Sequence, residues 1–290
     1  MSLFSPARHA ASGVADPADS PHFWSDGDAG ITFDGVGRSF GPHDVLAGVH
    51  LEVAPGEVIA VLGPSGCGKS TLLRLAAGLD APSAGSVVIG DAPVRPWDPR
   101  CAVAFQEPRL LPWRTLRENV ALGLPRTGRR RTAAQDARID ELLALVGLSG
   151  FAGHRPRAVS GGMAQRASLA RALARDPQVL LLDEPFGALD ALTRLKMQDL
   201  LLSVHDASPA TILLVTHDVD EALQLADRVV LLGSTDGGST GQVGVGAPGR
   251  APAGVRSVHT VPGSRPRDRG SADLARMRAD LFTALGVDAH

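Results

Sequence analysis

Residues Gly63, Pro64, Ser65, Gly66, Cys67, Gly68, Lys69 and Ser70 follow the pattern Gly-x-x-x-x-Gly-Lys-Ser, the spacing of a loop that cradles phosphates. Its glycines let the backbone curl so that successive N–H groups point at one anion. Lys69 brings a mobile charge to the β- and γ-phosphates, and the Ser70 hydroxyl can reach Mg²⁺. A helix expected over Ser70 to Ala77 turns its positive end toward the same anion. Val58 to Leu62 reads as a buried strand feeding the loop. Lys69 and Lys196 are the only lysines of the chain, so a lysine at this place is not an accident of composition. The chemistry implied is nucleoside triphosphate binding.

A second group lies at Val179-Leu180-Leu181-Leu182-Asp183-Glu184. An aspartate at the end of a buried strand can hold Mg²⁺, and the carboxylate beside it can act as general base on a water. A third is Ser160-Gly161-Gly162 at the start of a helix, where a hydroxyl and exposed N–H groups make another anion site.

Several continuous apolar runs must position these groups: Val58–Leu62, Ala102–Phe105, Val179–Leu182, Ile212–Val215 and Val229–Leu232. Such runs, separated by helical segments, predict parallel strands buried on both faces. Four of them end in the phosphate loop, Gln106, Asp183-Glu184 and Thr216-His217. In open α/β sheets the ligand crevice lies beyond the carboxyl ends of the strands. Ile31–Phe33 and Val49–Val53 alternate like an antiparallel edge sheet. Between the second and third parallel strands, a capping box at Thr132–Gln135 precedes apolar residues at helical spacing (Ile139, Leu142, Leu143, Val146), with Gly147 as the stop.

The chain has 290 residues, 44% hydrophobic and 21% charged, and a net charge of −2, as an ordinary soluble globular protein does. That balance gives no global reason to expect nucleic-acid binding. The basic run of Arg126 and Arg129 to Arg131 reads as a solvated loop. No apolar run approaches the roughly 18–20 residues that cross a bilayer, and no secretory apolar core is present at the N-terminus. Two cysteines, Cys67 and Cys101, do not indicate a disulfide scaffold and suit a reducing cytosol. Residues 1–30, which include the Phe23-Trp24 pair, lack periodicity and predict a disordered tail. Residues 236–262 are rich in glycine and proline and predict a linker. Over 263–290, Ser271, Leu274, Met277, Leu281, Leu285 and Gly286 mark a last amphipathic helix from start to stop.

The order of these motifs, with Gln106, Ala188-Leu189-Asp190 and His217, resembles the ATP-binding subunit of ABC transporters over about residues 31–235. The resemblance implies an α/β P-loop NTPase fold of the ABC type. Its parts would be a mostly parallel central sheet, an antiparallel β edge subdomain and a helical subdomain inserted over about 107–170. It makes Gly63 to Thr71 the Walker A loop, and it makes Asp183 and Glu184 the Walker B aspartate and catalytic base. Ser160, Gly161 and Gly162 become the signature loop, which caps ATP held by the opposite subunit of a homodimer with two ATP molecules at its interface. Gln106 becomes the Q-loop residue near Mg²⁺ and the γ-phosphate, His217 the switch histidine, and Asp190 the D-loop aspartate at the dimer seam. Phe40 stands where the family has a tyrosine that stacks on adenine, and this chain contains no tyrosine; a core phenylalanine is the alternative. Val159 and Met163 depart from the usual leucine and glutamine of the signature.

The segment from Gln106 to Val120 resembles the importer ATPases for nitrate, sulfonate and taurine. The run Arg265 to Ser271 with its following helix is similar to the aliphatic sulfonate branch. The resemblance implies an ATPase at the cytoplasmic face of the inner membrane, bound to integral-membrane permease subunits and served by a solute-binding protein. Nitrate, taurine or another small solute is the alternative cargo, and a soluble non-transport ABC ATPase the alternative role. Trp113 is expected either near the permease socket or in the core of the helical subdomain. The family's soluble translation and repair types carry a second nucleotide domain or a long coiled coil, and neither a second phosphate loop nor heptads occur. The guanine-specifying Asn-Lys-x-Asp of GTPases cannot be built from Lys69 or Lys196.

Overall fold

The computed structural model describes residues 29–125, 130–207, 209–234 and 251–286. The expected tail up to residue 28, the first part of the expected linker and Arg126 to Arg129 lie outside the described residues.

The strands are β1 (Ile31–Phe40), β2 (His43–Val53), β3 (Val58–Leu62), β4 (Ala84–Ile89), β5 (Ala92–Pro93), β6 (Cys101–Ala104), β7 (Val179–Asp183), β8 (Thr211–Val215), β9 (Arg228–Ser234) and β10 (Ala253–Thr260). They form one ten-stranded sheet in the order β5-β4-β1-β2-β10-β9-β3-β8-β7-β6. The five strands from β9 to β6 are parallel to one another, whereas β1, β2, β4 and β5 pair antiparallel. Residues 253–260 correct the sequence reading: they are a strand rather than linker. β10 runs antiparallel to β9 and meets β2 at Ala253 and Leu46. It thereby joins the antiparallel and parallel parts into one sheet. From Arg256 to Thr260 polar and apolar residues mix, and half-exposed positions such as Val258 hide the strand from a search for apolar runs.

The unbroken apolar runs are explained by the two faces of the sheet. Val58, Ala60 and Leu62 of β3 enter one core layer with the helices of the chain's middle and end, while Ile59 and Val61 enter a second layer. β7 divides in the same way, with Leu180 and Leu182 on one face and Val179 and Leu181 on the other. Period-two geometry sends alternate side chains to opposite faces, and both faces are covered.

Helix α1 (Lys69–Ala76) lies in the second layer, where Leu72, Leu73 and Leu75 are buried beside residues of β1, β4 and β6. The two ends of the sheet meet around it. Arg100, just before β6, donates to the carbonyls of Ile89, Ala92 and Pro93 in the β4–β5 edge. Asp98 holds that guanidinium through an ion pair, which in turn keeps the Asp98 carboxyl well below the usual carboxylate range.

The other face carries α2 (Leu116–Val120), α3 (Ala133–Leu145), α4 (Gly161–Leu173), α5 (Ala191–Ala207), α6 (Val219–Leu225) and α7 (Ala272–Ala284). The capping box expected at Thr132 is formed with Gln135, and a second one joins Thr115 and Glu118 at the start of α2. Ser271 caps α7 as expected, and Gly286 follows it in the left-handed conformation. α7 buries Leu274 and Leu281 in the first core layer. Leu281→Ala removes a fully buried side chain and is expected to cost about 3 kcal/mol in denaturant unfolding; a loss below about 0.5 kcal/mol would show that α7 is not part of the cooperative core.

Candidate active site

β3 delivers the chain into the 63–68 loop at a point with no room for a side chain. A Cβ on Gly63 would stand 2.2 Å from the Leu232 carbonyl oxygen and 2.8 Å from Cys67 Sγ. At the far end Gly68 takes φ 98°, packed under Leu46 of β2, where a Cβ would meet Leu46 Cδ2 at 2.7 Å. Only glycine satisfies both the conformation and the contact. No side chain among the described residues caps the N-terminus of α1, so an anion seated in the loop would take its first-turn N–H groups and its dipole. Lys69 is buried, and its Nζ donates to the carbonyls of Gly63 at 2.7 Å and Pro64 at 3.0 Å.

Beside the loop, the end of β7 brings a carboxylate into contact with it. Ser70 Oγ donates to Asp183 Oδ1 at 3.2 Å. Burial pushes the Asp183 carboxyl above its ordinary range, with the Ser70 hydrogen bond opposing. A buried carboxylate whose charge is disfavoured, next to a hydroxyl, is a hard-oxygen pair suited to Mg²⁺, a cation that needs only one or two protein oxygens when phosphates supply others.

Glu184 is the meeting point of three strand ends. Its backbone N–H donates to the carbonyl of Val215 on β8 at 2.8 Å, holding a left-handed φ of 46°. That conformation strains a non-glycine residue by roughly 1–3 kcal/mol and aims its side chain. Glu184 Oε2 accepts from Gln106 Nε2 at 2.8 Å, and Oε1 lies 3.2 Å from His217 Nδ1. A carboxylate is thus held between an amide and an imidazole, and its side chain is only one-fifth exposed.

Ser160, Gly162 and Asp190 gather in a neighbouring group. Ser160 caps α4 by accepting from the Met163 N–H at 3.2 Å. A Cβ on Gly162 would touch Leu189 Cδ2 at 3.0 Å, whereas one on Gly161 would meet nothing within 4 Å. Asp190 accepts from the Thr193 N–H at 3.0 Å at the start of α5, and hydrogen bonding to Thr193 keeps its carboxyl low.

Two alternatives of the sequence reading are decided by exposure. Phe40, at the end of β1, is 45% exposed, so it is not a core residue. The Arg38 guanidinium sits 4.4 Å from its ring centroid and is fixed by an ion pair with Asp80. Trp113 is 67% exposed and likewise not core.

Gln165 and Arg171 of α4 escaped sequence reasoning. Gln165 donates to the Phe105 carbonyl at 3.0 Å, and Arg171 donates to the carbonyls of Pro108 and Arg109 at 2.9 Å each. They grip the chain on both sides of Gln106. An arginine in an arginine-rich helix carries no signal of such a contact. Glu221 of α6 was missed as well. It is buried among Asp218, Thr216, Arg194 and Glu184, and burial pushes its carboxyl up to about 8.

A family model described as ABC transporter matches residues 46–187. The chain is 45% identical over 259 residues to "Aliphatic sulfonates import ATP-binding protein SsuB 1" of Xanthomonas axonopodis pv. citri, covering 89% of this chain and 96% of that one. It is 46% identical to a protein of the same name from Pseudomonas aeruginosa, covering 86% and 94%. Among solved structures, a dimeric ATP-binding cassette in a post-hydrolysis state with ADP and Pi superposes with a TM-score of 0.67. It is 29% identical and covers 81% of this chain and all of that one.

Glu221 gives the site a pH signature. Burial raises its folded pKa to about 8, above the ordinary glutamate value of 4.5, so the folded chain holds the extra proton between those limits and stability falls as pH rises through that window. Glu221→Gln is expected to match wild-type stability near pH 4.5 and to exceed it increasingly toward pH 8, read by denaturant unfolding across pH. Parallel pH profiles for the two proteins would contradict a buried, protonated Glu221.

Proposed function

The chain belongs to the ABC transporter family, and from that membership we propose that it is the ATP-hydrolysing subunit of an importer for aliphatic sulfonates. The observation that carries the catalytic part is the junction at Glu184, where Gln106 and His217 hold one carboxylate beside the Ser70–Asp183 pair. The cargo is supported by the names and near-complete coverage of the relatives.

ATP binds with its phosphates on the 63–71 loop, where Lys69 can turn from loop carbonyls to the β- and γ-phosphates. Phe40 offers the ring face not covered by Arg38 to adenine, because stacking uses only the π-face. Ser70, Asp183 and Gln106 would hold Mg²⁺, which when bound neutralises phosphate charge. Glu184 accepts the proton of a water attacking the γ-phosphorus, and His217 orients that carboxylate and reaches the γ-phosphate. Glu184 is suited to this role because its position is fixed before the nucleotide arrives. Ser160, Gly161 and Gly162 cap the ATP of a second copy, with Asp190 at the seam, so that two ATP molecules are enclosed in a twofold dimer.

No helix among the described residues is long and apolar enough to cross a membrane. In this reading the chain sits at the cytoplasmic face of the inner membrane against permease subunits, with a solute-binding protein acting through them. Trp113, exposed on the segment that follows Gln106, faces the permease. Cargo choice belongs to those other subunits, since an ATPase subunit touches no transported solute.

A strain lacking this chain is expected to lose growth on ethanesulfonate as sole sulfur source while growing on sulfate. The wild-type sequence should restore that growth and Lys69→Ala should not. Loss on taurine, or on nitrate as nitrogen source, in place of ethanesulfonate would reassign the cargo. Full rescue by Lys69→Ala would contradict a transport role for ATP binding.

A further inference from the structure

The group around Gly162 and the group around His217 are joined by one side chain that neither set of motifs contains. Arg194 lies on the first turn of α5, its N–H bonded to the Asp190 carbonyl. Its Nη2 donates to the Leu189 carbonyl at 3.4 Å, and its Nη1 donates to Asp218 Oδ2 at 3.2 Å. On one side, Leu189 is the residue packed against Gly162. On the other, Asp218 follows His217 directly, and its Oδ1 caps α6 by accepting from the Glu221 N–H at 3.1 Å. Asp218 N–H in turn donates to Thr216 Oγ1 at 3.1 Å, which closes the turn that carries His217. A guanidinium suits this place, because its planar fork can serve two acceptors at once and stays charged.

Two features set this joint apart from an ordinary surface ion pair. Arg194 Nε and Glu221 Oε1 are both buried and have no hydrogen-bond partner among the described residues. Buried polar atoms in that condition cost free energy, so the joint stands short of its hydrogen-bonding optimum. The other feature is that both ends lie on turns, 188–190 and 216–218, and not on rigid elements. A small displacement of one turn therefore reaches the other through a single rigid group.

We propose that Arg194 is a positioning residue that couples the 188–190 turn to the His217 turn, so that hydrolysis at one nucleotide answers to contacts at the seam with the second copy. The proposal rests on the reading above that Asp190 lies at that seam and that His217 serves the γ-phosphate. Arg194 itself touches no nucleotide in this scheme, which separates its effect on turnover from any effect on binding.

The test is a double-mutant cycle on the purified full-length chain. Arg194→Ala removes the link, and Asp218→Ser removes the charge partner while keeping an oxygen to cap α6. ATPase turnover, KM for ATP and affinity for a non-hydrolysable ATP analogue are measured for both single variants and the double. Each single variant is expected to lower kcat by about three- to tenfold, within the span of measured pair couplings, with analogue affinity within about twofold of wild type. The double should be no slower than the slower single, because both remove one link. Arg194→Lys, which keeps the charge but loses the fork, should fall between wild type and Arg194→Ala and serves if the alanine variant does not fold. Wild-type turnover in the single variants, multiplicative losses in the double, or a matching loss of analogue affinity would each overturn the proposal. A wild-type chain without ATP turnover would overturn the functional reading and the proposal together.

Discussion

The site depends on burying a short helix against one face of the sheet while leaving its first turn uncapped among the described residues. α1 has eight residues and is covered by β1, β4 and β6 on its flanks. No side chain among the described residues caps its N-terminal N–H groups, which leaves them to an anion. The loop before it is narrow, and glycine is forced at both of its ends. Gly63 touches the Leu232 carbonyl of β9, and Gly68 packs under Leu46 of β2. Strands from both halves of the sheet thus form the walls of the 63–68 loop, and the order of the sheet is a condition of its geometry.

From that constraint the rest of the site follows with few added devices. Parallel strands end together, so Asp183 and Glu184 arrive beside the loop because β7 is two strands from β3. One strained residue then turns the second carboxylate toward its partners, and the Val215 carbonyl of β8 holds the strain. Gln106 and His217 meet this carboxylate from either side. The helical segment is fastened to the same place: α4 begins at Ser160 and, further along, grips the carbonyls on both sides of Gln106. These bonds tie α4 to the Gln106 segment.

Much of this was legible in the sequence, and for a physical reason. A strand buried on both faces must be apolar throughout, so β3, β7, β8 and most of β6 and β9 announced themselves, and the residues after all of them but β9 marked the site. The capping box at Thr132 and the start of α7 at Ser271 were equally plain, because a cap is a local contact between residues two or three apart. What stayed hidden is what tertiary structure alone decides. β10 is half-exposed and follows a glycine-rich stretch, so its composition suggested a linker, and its pairing with β9 is visible only in the sheet. Arg171, Arg194 and Glu221 act across distances of 24 to 63 residues or through burial, and nothing in their neighbours marks them.

We propose that Glu184, held by Gln106 and His217, is the base that drives ATP hydrolysis on the 63–71 loop. The most direct measurement compares equilibrium ATP binding with single-turnover hydrolysis for wild type and Glu184→Gln, on preparations whose oligomeric state is followed by light scattering. The variant is expected to keep near wild-type ATP affinity, to hydrolyse slower by about a hundredfold or more, and to hold an ATP-dependent dimer that persists. Hydrolysis by Glu184→Gln at the wild-type rate would contradict it.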